Sequence, residues 1–127
     1  MAAVLGEGFV PGRHEIDASG AGGFRFADMS HRGSILILPS GIQAWPVTSL
    51  EHLTAADLAP VIAEAGEIEF LLLGTGRDIA FVGEDLRAPL REAGIGLEAM
   101  ATGAAARTYN LLLGEKRRVA AALIAVG

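Results

Sequence analysis

From residue 34 onward, short apolar runs alternate with segments of helical periodicity, and this order restricts the fold more than any other feature. The first two runs, Ser34–Leu38 and Ile42–Val47, are separated by Pro39-Ser40-Gly41. Because that tripeptide is typical of a turn, the pair predicts an antiparallel hairpin. Pro46 has no amide to donate to a neighbouring strand, so it places the second strand at a sheet edge or at its own end.

Three helix–strand pairs are predicted after the hairpin. The first helix starts at the capping-box pattern of Thr54–Asp57 and ends at Gly66. The second covers residues 86–93 and tolerates Pro89 only because the proline falls in or just after the first turn. The third covers residues 102–113. The predicted strands are 68–73, 95–100 and 119–126.

The resulting order, ββ-α-β-α-β-α-β, implies a mainly parallel sheet covered by helices. We therefore predict a single α/β domain over residues 24–127, with an extra N-terminal β-hairpin. The last strand is rich in alanine, which lets helices approach closely, so we expect it inside the sheet. Residues 1–23 contain six glycines and one proline without periodicity and predict an irregular N-terminal arm.

Composition excludes several classes of protein. The net charge of −5 and the two short basic groups argue against a nucleic-acid or membrane-surface partner. The chain has no cysteine, so it has no disulfide and no thiolate nucleophile. Its longest apolar run, Val119–Val126, is too short to span a bilayer, which predicts no membrane insertion. No signal-peptide pattern is present, and we expect a cytoplasmic protein.

The first candidate site follows the buried strand Leu71–Leu73. Gly74, Thr75, Gly76 and Arg77 form a glycine-bearing loop at the carboxyl end of that strand, where parallel sheets bind ligands. The loop is neither a P-loop nor a dinucleotide fingerprint, since the lysine and the third glycine are missing. Both phosphate binding and a simple tight turn account for its glycines.

The second candidate site lies on the third helix. Gly103, Arg107, Asn110 and Gly114 fall on one narrow stripe, and Thr102 is a candidate N-cap. Arg107 is a forked donor and Asn110 both donates and accepts, so the stripe suits an anion or a partner's backbone. A solvated stripe, or an arginine paired with an internal carboxylate, explains the pattern equally well.

Catalytic patterns are weak throughout. The histidines are scattered, the serines lack a nucleophile-elbow context, and the Asp28…His31 pair has metal-ligand spacing only on a helix. Trp45 and Tyr109 are interpreted as core side chains. We therefore predict no catalytic residue, no metal site and no cofactor.

Taken jointly, four motifs resemble a small domain family of unknown biochemistry that includes mitochondrial complex I assembly factor 3 and short stand-alone bacterial proteins. The motifs are Gly74-Thr-Gly-Arg77, Gly94-Ile95, Thr102–Asn110 and Arg117–Ile124, and the similarity covers residues 24–126. The resemblance implies a three-layer fold with a mixed central sheet whose last strand runs antiparallel to the others. It also implies that no enzymatic activity is established. Members often carry cysteine where this chain has Ala106, and the absent transit-peptide pattern favours the bacterial branch.

Two hypotheses of function follow. The first is a non-enzymatic interaction or assembly factor that binds an unidentified protein through the Gly103/Arg107/Asn110 face and the Gly74–Arg77 loop. The second is a small-molecule binder, or a cryptic enzyme, that takes an anionic or phosphorylated ligand at the same loop and Arg107. The hairpin edge near Trp45 leaves a homo-oligomer open.

Overall fold

The computed structural model describes residues 9–127. It contains nine strands and three α-helices in that range. The strands are β1 Phe9–Pro11, β2 Ala18–Gly20, β3 Gly23–Phe26, β4 Met29–Arg32, β5 Ser34–Leu38, β6 Gly41–Trp45, β7 Phe70–Gly74, β8 Gly96–Met100 and β9 Val119–Leu123. The helices are α1 Ala59–Ala63, α2 Glu84–Glu92 and α3 Thr102–Gly114.

A mixed six-stranded sheet forms the centre, in the order β1-β6-β5-β9-β7-β8. The three strands joined by helices, β7, β8 and β9, are parallel, and β5–β6 is the predicted antiparallel hairpin. The position of β9 inside the sheet is confirmed. The orientation implied for it is wrong: β9 is antiparallel to β5 alone and parallel to β7. Two helical crossovers, through α2 and α3, bring β8 and then β9 back in the direction of β7, which makes these strands parallel.

Helices cover the sheet on both faces, which confirms the predicted three layers. One apolar cluster joins Leu71 and Leu73 of β7 to side chains of α1 and α2. The other joins Leu72 of the same strand to Ala105 and Tyr109 of α3. This alternation explains why β7 reads as a continuous apolar run, since both of its faces are buried.

The first two helices differ from their predicted bounds. The α-helical part of the first is only Ala59–Ala63, with one 3₁₀ turn before it and another, which contains Gly66, after it. The second begins at Glu84, so Pro89 lies in its interior and not near its first turn. The residue that loses its amide partner there, Asp85, is exposed, so water can satisfy its carbonyl.

The N-terminal arm was predicted to be irregular, but its described part, residues 9–23, contains two strands. β1 extends the central sheet by pairing with β6, and β2 forms a separate three-stranded antiparallel sheet with β3 and β4. Phe24, Phe26 and Met29 of this small sheet are buried against α3 and the central sheet. Burial of these large side chains supplies the apolar contact that holds the arm in place.

Candidate functional site

The carboxyl ends of β7 and β8 lie side by side, as the two candidate sites required. Gly74 of β7 is in register with Met100 of β8. The connection after β7 leads to α2 on one face of the sheet, and the connection after β8 leads to α3 on the other. Adjacent strands whose connections leave to opposite faces form the crevice in which α/β proteins bind ligands.

Hydrogen bonds between the two connections close this crevice. The amide of Thr75 donates to the carbonyl of Met100 (2.8 Å), and the amide of Gly76 donates to Thr102 Oγ1 (2.9 Å). In return, the amide of Thr102 donates to the carbonyl of Gly76 (2.8 Å). The amides of Thr75 and Gly76 are therefore occupied, so they cannot form the backbone cradle that a phosphate would need.

Thr102 is the centre of this closure. It is fully buried, and its hydroxyl accepts from Gly76 while donating to the carbonyl of Ile124 (2.7 Å). The predicted N-cap role is wrong, because the N-cap of α3 is Ala101 and Thr102 is the first helical residue. Its hydroxyl is used to join the loop, α3 and the chain after β9.

Gly74 permits the close contact between β7 and α3. A Cβ at this position would lie 2.9 Å from both Cα and Oγ1 of Thr102, and 3.0 Å from Leu123 Cδ2. Those distances are too short for any residue other than glycine without a shift of the helix. The glycine is thus explained by helix–sheet packing. Gly76 has a separate reason, a positive φ of 115°.

Asn110 binds a backbone, and that backbone belongs to its own chain. Asn110 Oδ1 accepts from the amide of Ile16 (2.8 Å), and Asn110 Nδ2 donates to the carbonyl of Ile16 (2.7 Å). One side chain thereby satisfies both main-chain groups of a buried residue. The donor-and-acceptor character predicted for Asn110 is correct, and it anchors the segment before β2.

Arg77 and Arg107, by contrast, are exposed. Neither forms a salt bridge with the described residues, where the two ion pairs are Arg91–Glu84 and Arg117–Glu69. A Cβ built at Gly103 would lie 3.6 Å from Arg107 Nη1, so the guanidinium folds back toward the start of α3. Because the amide of Gly76 is hydrogen-bonded to Thr102, the backbone next to Arg77 lies near the start of α3.

Two exposed apolar side chains on the connection that follows Arg77 were not predicted from the sequence. Ile79 is 67% exposed and Phe81 is 89% exposed, on the loop between β7 and α2. Large apolar groups on an irregular segment outside any periodic pattern were the signal that could have identified them. We call Arg77, Ile79, Phe81 and Arg107 the loop face. Aromatic and arginine side chains together are typical of interaction hot spots.

Tyr109 is fully buried beneath α3, which confirms it as a core residue. Its hydroxyl has no hydrogen-bond partner among residues 9–127. Burial raises the pKa of Tyr109 to about 12, with a small opposing effect from the charge of Arg13. The neutral phenol is therefore strongly preferred in the folded state.

This burial predicts an alkaline loss of stability that depends on one side chain. The folded pKa lies above the ordinary value near 10, so the unfolded chain loses its proton first and stability falls as pH rises from 10 to 12, by about 2 to 3 kcal/mol. Tyr109→Phe should remove this component and leave stability at neutral pH equal or slightly higher, since the unpartnered hydroxyl is gone. Urea unfolding across this pH range measures it, and tyrosinate absorbance reports the pKa directly because the chain has one tyrosine. Equal alkaline losses in both proteins would contradict the prediction.

The remaining candidates do not come together. Asp28 lies in the turn between β3 and β4 and His31 lies on β4, so the pair is not on a helix. Within the described part of the chain, no three metal-ligating side chains are grouped. Trp45 is buried as predicted, and its indole donates to the carbonyl of Asp57 (2.9 Å). That ring is therefore not available for the subunit contact that the hairpin edge suggested.

None of the helices in residues 9–127 is long and apolar enough to cross a membrane.

A family model and several known proteins are similar to most of this chain. A sequence model of a family described as a protein of unknown function (DUF498/DUF598) matches residues 16–124. An uncharacterised protein of Rhodobacter capsulatus is 43% identical over 109 residues, which are 86% of this chain and 82% of that protein. NADH dehydrogenase [ubiquinone] 1 alpha subcomplex assembly factor 3 of Danio rerio is 33% identical over 80% of this chain, and the match spans 59% of its own length.

A solved structure extends the similarity to three dimensions. The crystal structure of a protein of Bartonella henselae, described as an outer membrane protein, is 52% identical in sequence. It superposes with a TM-score of 0.88 and covers 92% of this chain and 98% of its own.

Proposed function

This chain belongs to the family of proteins of unknown function DUF498/DUF598, and on that premise we propose that it is a non-enzymatic interaction protein, an assembly or biogenesis factor. Its similarity to the assembly factor 3 proteins of NADH dehydrogenase supports a role in assembling a respiratory complex. These relatives are longer, so the role of the whole relative is part of the proposal. We place this action in the cytoplasm, as the composition predicts.

The loop face is the proposed docking surface, and the exposure of Phe81 is the observation that carries it. Burying an apolar side chain of this size on a partner stabilises the complex by about 1.5 to 3 kcal/mol. Arg77, which follows the loop bonded to Thr102, and Arg107, whose guanidinium lies near Gly103, would pair with carboxylates around the partner's apolar pocket. The partner is therefore a protein that offers an apolar pocket with an acidic rim.

In the proposal, some of the candidate residues contact the partner and the others hold the surface in shape. Arg77 and Arg107 contact the partner together with Ile79 and Phe81. Gly74, Thr75, Gly76, Thr102 and Asn110 shape the surface from behind, because their polar groups or close packing are engaged within the chain, and Gly103 leaves room for the Arg107 guanidinium. The loop offers no free amide from Thr75 or Gly76 to a phosphorylated small ligand, because both amides are hydrogen-bonded within the chain. This favours a protein partner over such a ligand.

Affinity capture tests the proposal. The wild type, Phe81→Asp and Arg107→Glu would each be used as bait against lysate and detergent-solubilised membranes of the source organism, with mass spectrometry as the readout. Each variant should reduce recovery of the specific partner by about tenfold or more, the usual effect of losing a hot-spot residue. Because both side chains are exposed, circular dichroism and thermal unfolding should be unchanged.

Arg118→Glu is the matched control. It makes the same change of charge at an exposed arginine before β9, on another part of the surface. Recovery with this variant should equal that of the wild type. A partner retained equally by Phe81→Asp and Arg107→Glu would remove the loop face from consideration, and no specific partner with any bait would contradict the function itself.

A further inference from the structure

The outer face of the small β2–β3–β4 sheet carries a cleft that the proposed function does not use. It has a volume of about 680 Å³ and opens to solvent. We call it the basic cleft. The residues that matter for its chemistry are Ala18, Gly20, Gly23, Arg25, Ser30 and Arg32.

Strand register explains why these residues share one face. Gly23 pairs with Arg32 and Arg25 pairs with Ser30, while Gly20 pairs with Gly23 and Ala18 with Arg25. Directly opposed residues on antiparallel strands project to the same side, so all six belong to a single face. The intervening Phe24 projects to the opposite side and is buried. The small residues thus form a floor from which two arginines rise.

The backbone at the centre of the cleft leaves no room for a side chain at position 23. A Cβ added at Gly23 would collide with the carbonyl oxygen of His31 on the neighbouring strand. Glycine at this position keeps the strands in close contact and leaves the surface between Arg25 and Arg32 open. A ligand in the cleft can therefore approach the backbone as well as the arginines.

Electrostatics distinguish this cleft from the rest of an acidic protein. The chain carries a net charge of −5, yet among residues 9–127 none that lines the cleft is aspartate or glutamate. Neither Arg25 nor Arg32 forms a salt bridge with the described residues. Two guanidinium groups without a counter-ion attract a multivalent anion.

One donor group is already oriented. Arg25 Nη1 donates to Ser30 Oγ (2.8 Å), which fixes the guanidinium beside a hydroxyl. Because that hydroxyl oxygen accepts, its own proton is free to donate, as are the other N–H groups of Arg25. Forked guanidinium donors beside a hydroxyl match the oxygens of a phosphate group.

We propose that the basic cleft binds a phosphate-bearing small molecule through Arg25, Arg32 and Ser30. Its volume falls within the range of about 300 to 1,000 Å³ that is typical of small-molecule sites. A nucleic acid would need a longer basic surface than these two arginines provide, and the overall negative charge opposes it. This site lies on the small three-stranded sheet, whereas the loop face lies on the connection after β7 and on α3. The proposal is therefore independent of the proposed function.

NMR titration of the full chain tests the proposal, with pyrophosphate as the first probe and ADP and inorganic phosphate as further arms. Pyrophosphate should shift amide resonances of residues 18–32. Arg25→Ala and Arg32→Ala should each weaken binding by about tenfold, the usual cost of one charged hydrogen bond, and the double variant should abolish measurable binding. Tighter binding of ADP than of pyrophosphate would identify a nucleotide, and equal binding would identify the phosphate groups alone.

The control removes the same two charges elsewhere. Arg117→Ala combined with Arg118→Ala changes two exposed arginines outside the cleft, so it should bind pyrophosphate as the wild type does. Equal weakening in the control and in the Arg25/Arg32 double variant would show only general charge attraction and overturn the proposal. So would the absence of any shift in residues 18–32, or binding that survives both cleft substitutions.

Discussion

Replacing Thr102 with valine is expected to lower the free energy of unfolding by about 2 to 5 kcal/mol, because two main-chain groups lose their partner. Valine has nearly the same shape, so no cavity forms. What disappears is the hydroxyl that accepts from the amide of Gly76 and donates to the carbonyl of Ile124, at a side chain with no exposed surface. Urea unfolding followed by circular dichroism measures the change.

Thr102→Ser separates the hydroxyl from the methyl group. Serine keeps both hydrogen bonds and loses one buried methyl, which costs about 1 kcal/mol. The cost of Thr102→Val therefore reports the hydroxyl, the cost of Thr102→Ser reports the methyl group, and valine should be the less stable of the two variants. If the valine variant were as stable as the wild type, the loop after β7 would be held by its backbone hydrogen bonds to Met100 and Thr102, and the hydroxyl would contribute nothing.

The part of the fold that the sequence predicted is the part with strong periodicity. β5 through β9 and α3 were located because apolar runs and helical spacing are local properties of the chain. Two hairpins were missed for an equally local reason. The turns Ala21-Gly22 and Ala27-Asp28 have four positive φ angles, from 50° to 83°, yet lack the Asn-Gly sequence that usually signals such turns. The alternation of Phe24 and Phe26 with Arg25 was the available signal.

The sequence predicted that the two candidate segments lie together, but not which of their hydrogen-bonding groups are free or which of their side chains are exposed. The Gly74–Arg77 loop and the start of α3 lie at one end of the sheet, as predicted, because adjacent parallel strands place their following loops together. Whether the loop amides were free depended on how closely Thr102 approached, which only tertiary packing determines. The position of Phe81 outside any periodic pattern identifies it as a candidate, but its neighbours in the fold decide whether an apolar residue in a loop is buried or exposed.

Asn110 shows the same limit most clearly, because its partner lies 94 residues away in the sequence. A helical stripe identifies a polar side chain between glycines, but it does not identify the segment that crosses it. In the structure, Asn110 binds the main chain of Ile16 and so holds the segment before β2. The second prediction of large effect follows from this contact.

Asn110→Ala is expected to lower the free energy of unfolding by about 2 to 4 kcal/mol, because the amide and carbonyl of Ile16 both lose their partner in a buried position. The loss should be concentrated in the segment before β2. Hydrogen exchange measured by NMR should show that the amide of Ile16 exchanges much faster in the variant, while amides of β7 and β9 change only as far as global stability changes.

Asn110→Asp provides the sharper control, since it has the same shape and keeps an oxygen that accepts from the amide of Ile16. It cannot donate to the carbonyl, and it places a negative carboxylate beside that oxygen, so its cost should equal or exceed that of alanine. The two variants also test how this residue relates to partner binding. If Asn110 only anchors its own chain, both variants should retain a partner that Phe81→Asp loses; loss of the partner in a variant that keeps Ile16 protected would show that Asn110 contacts the partner directly.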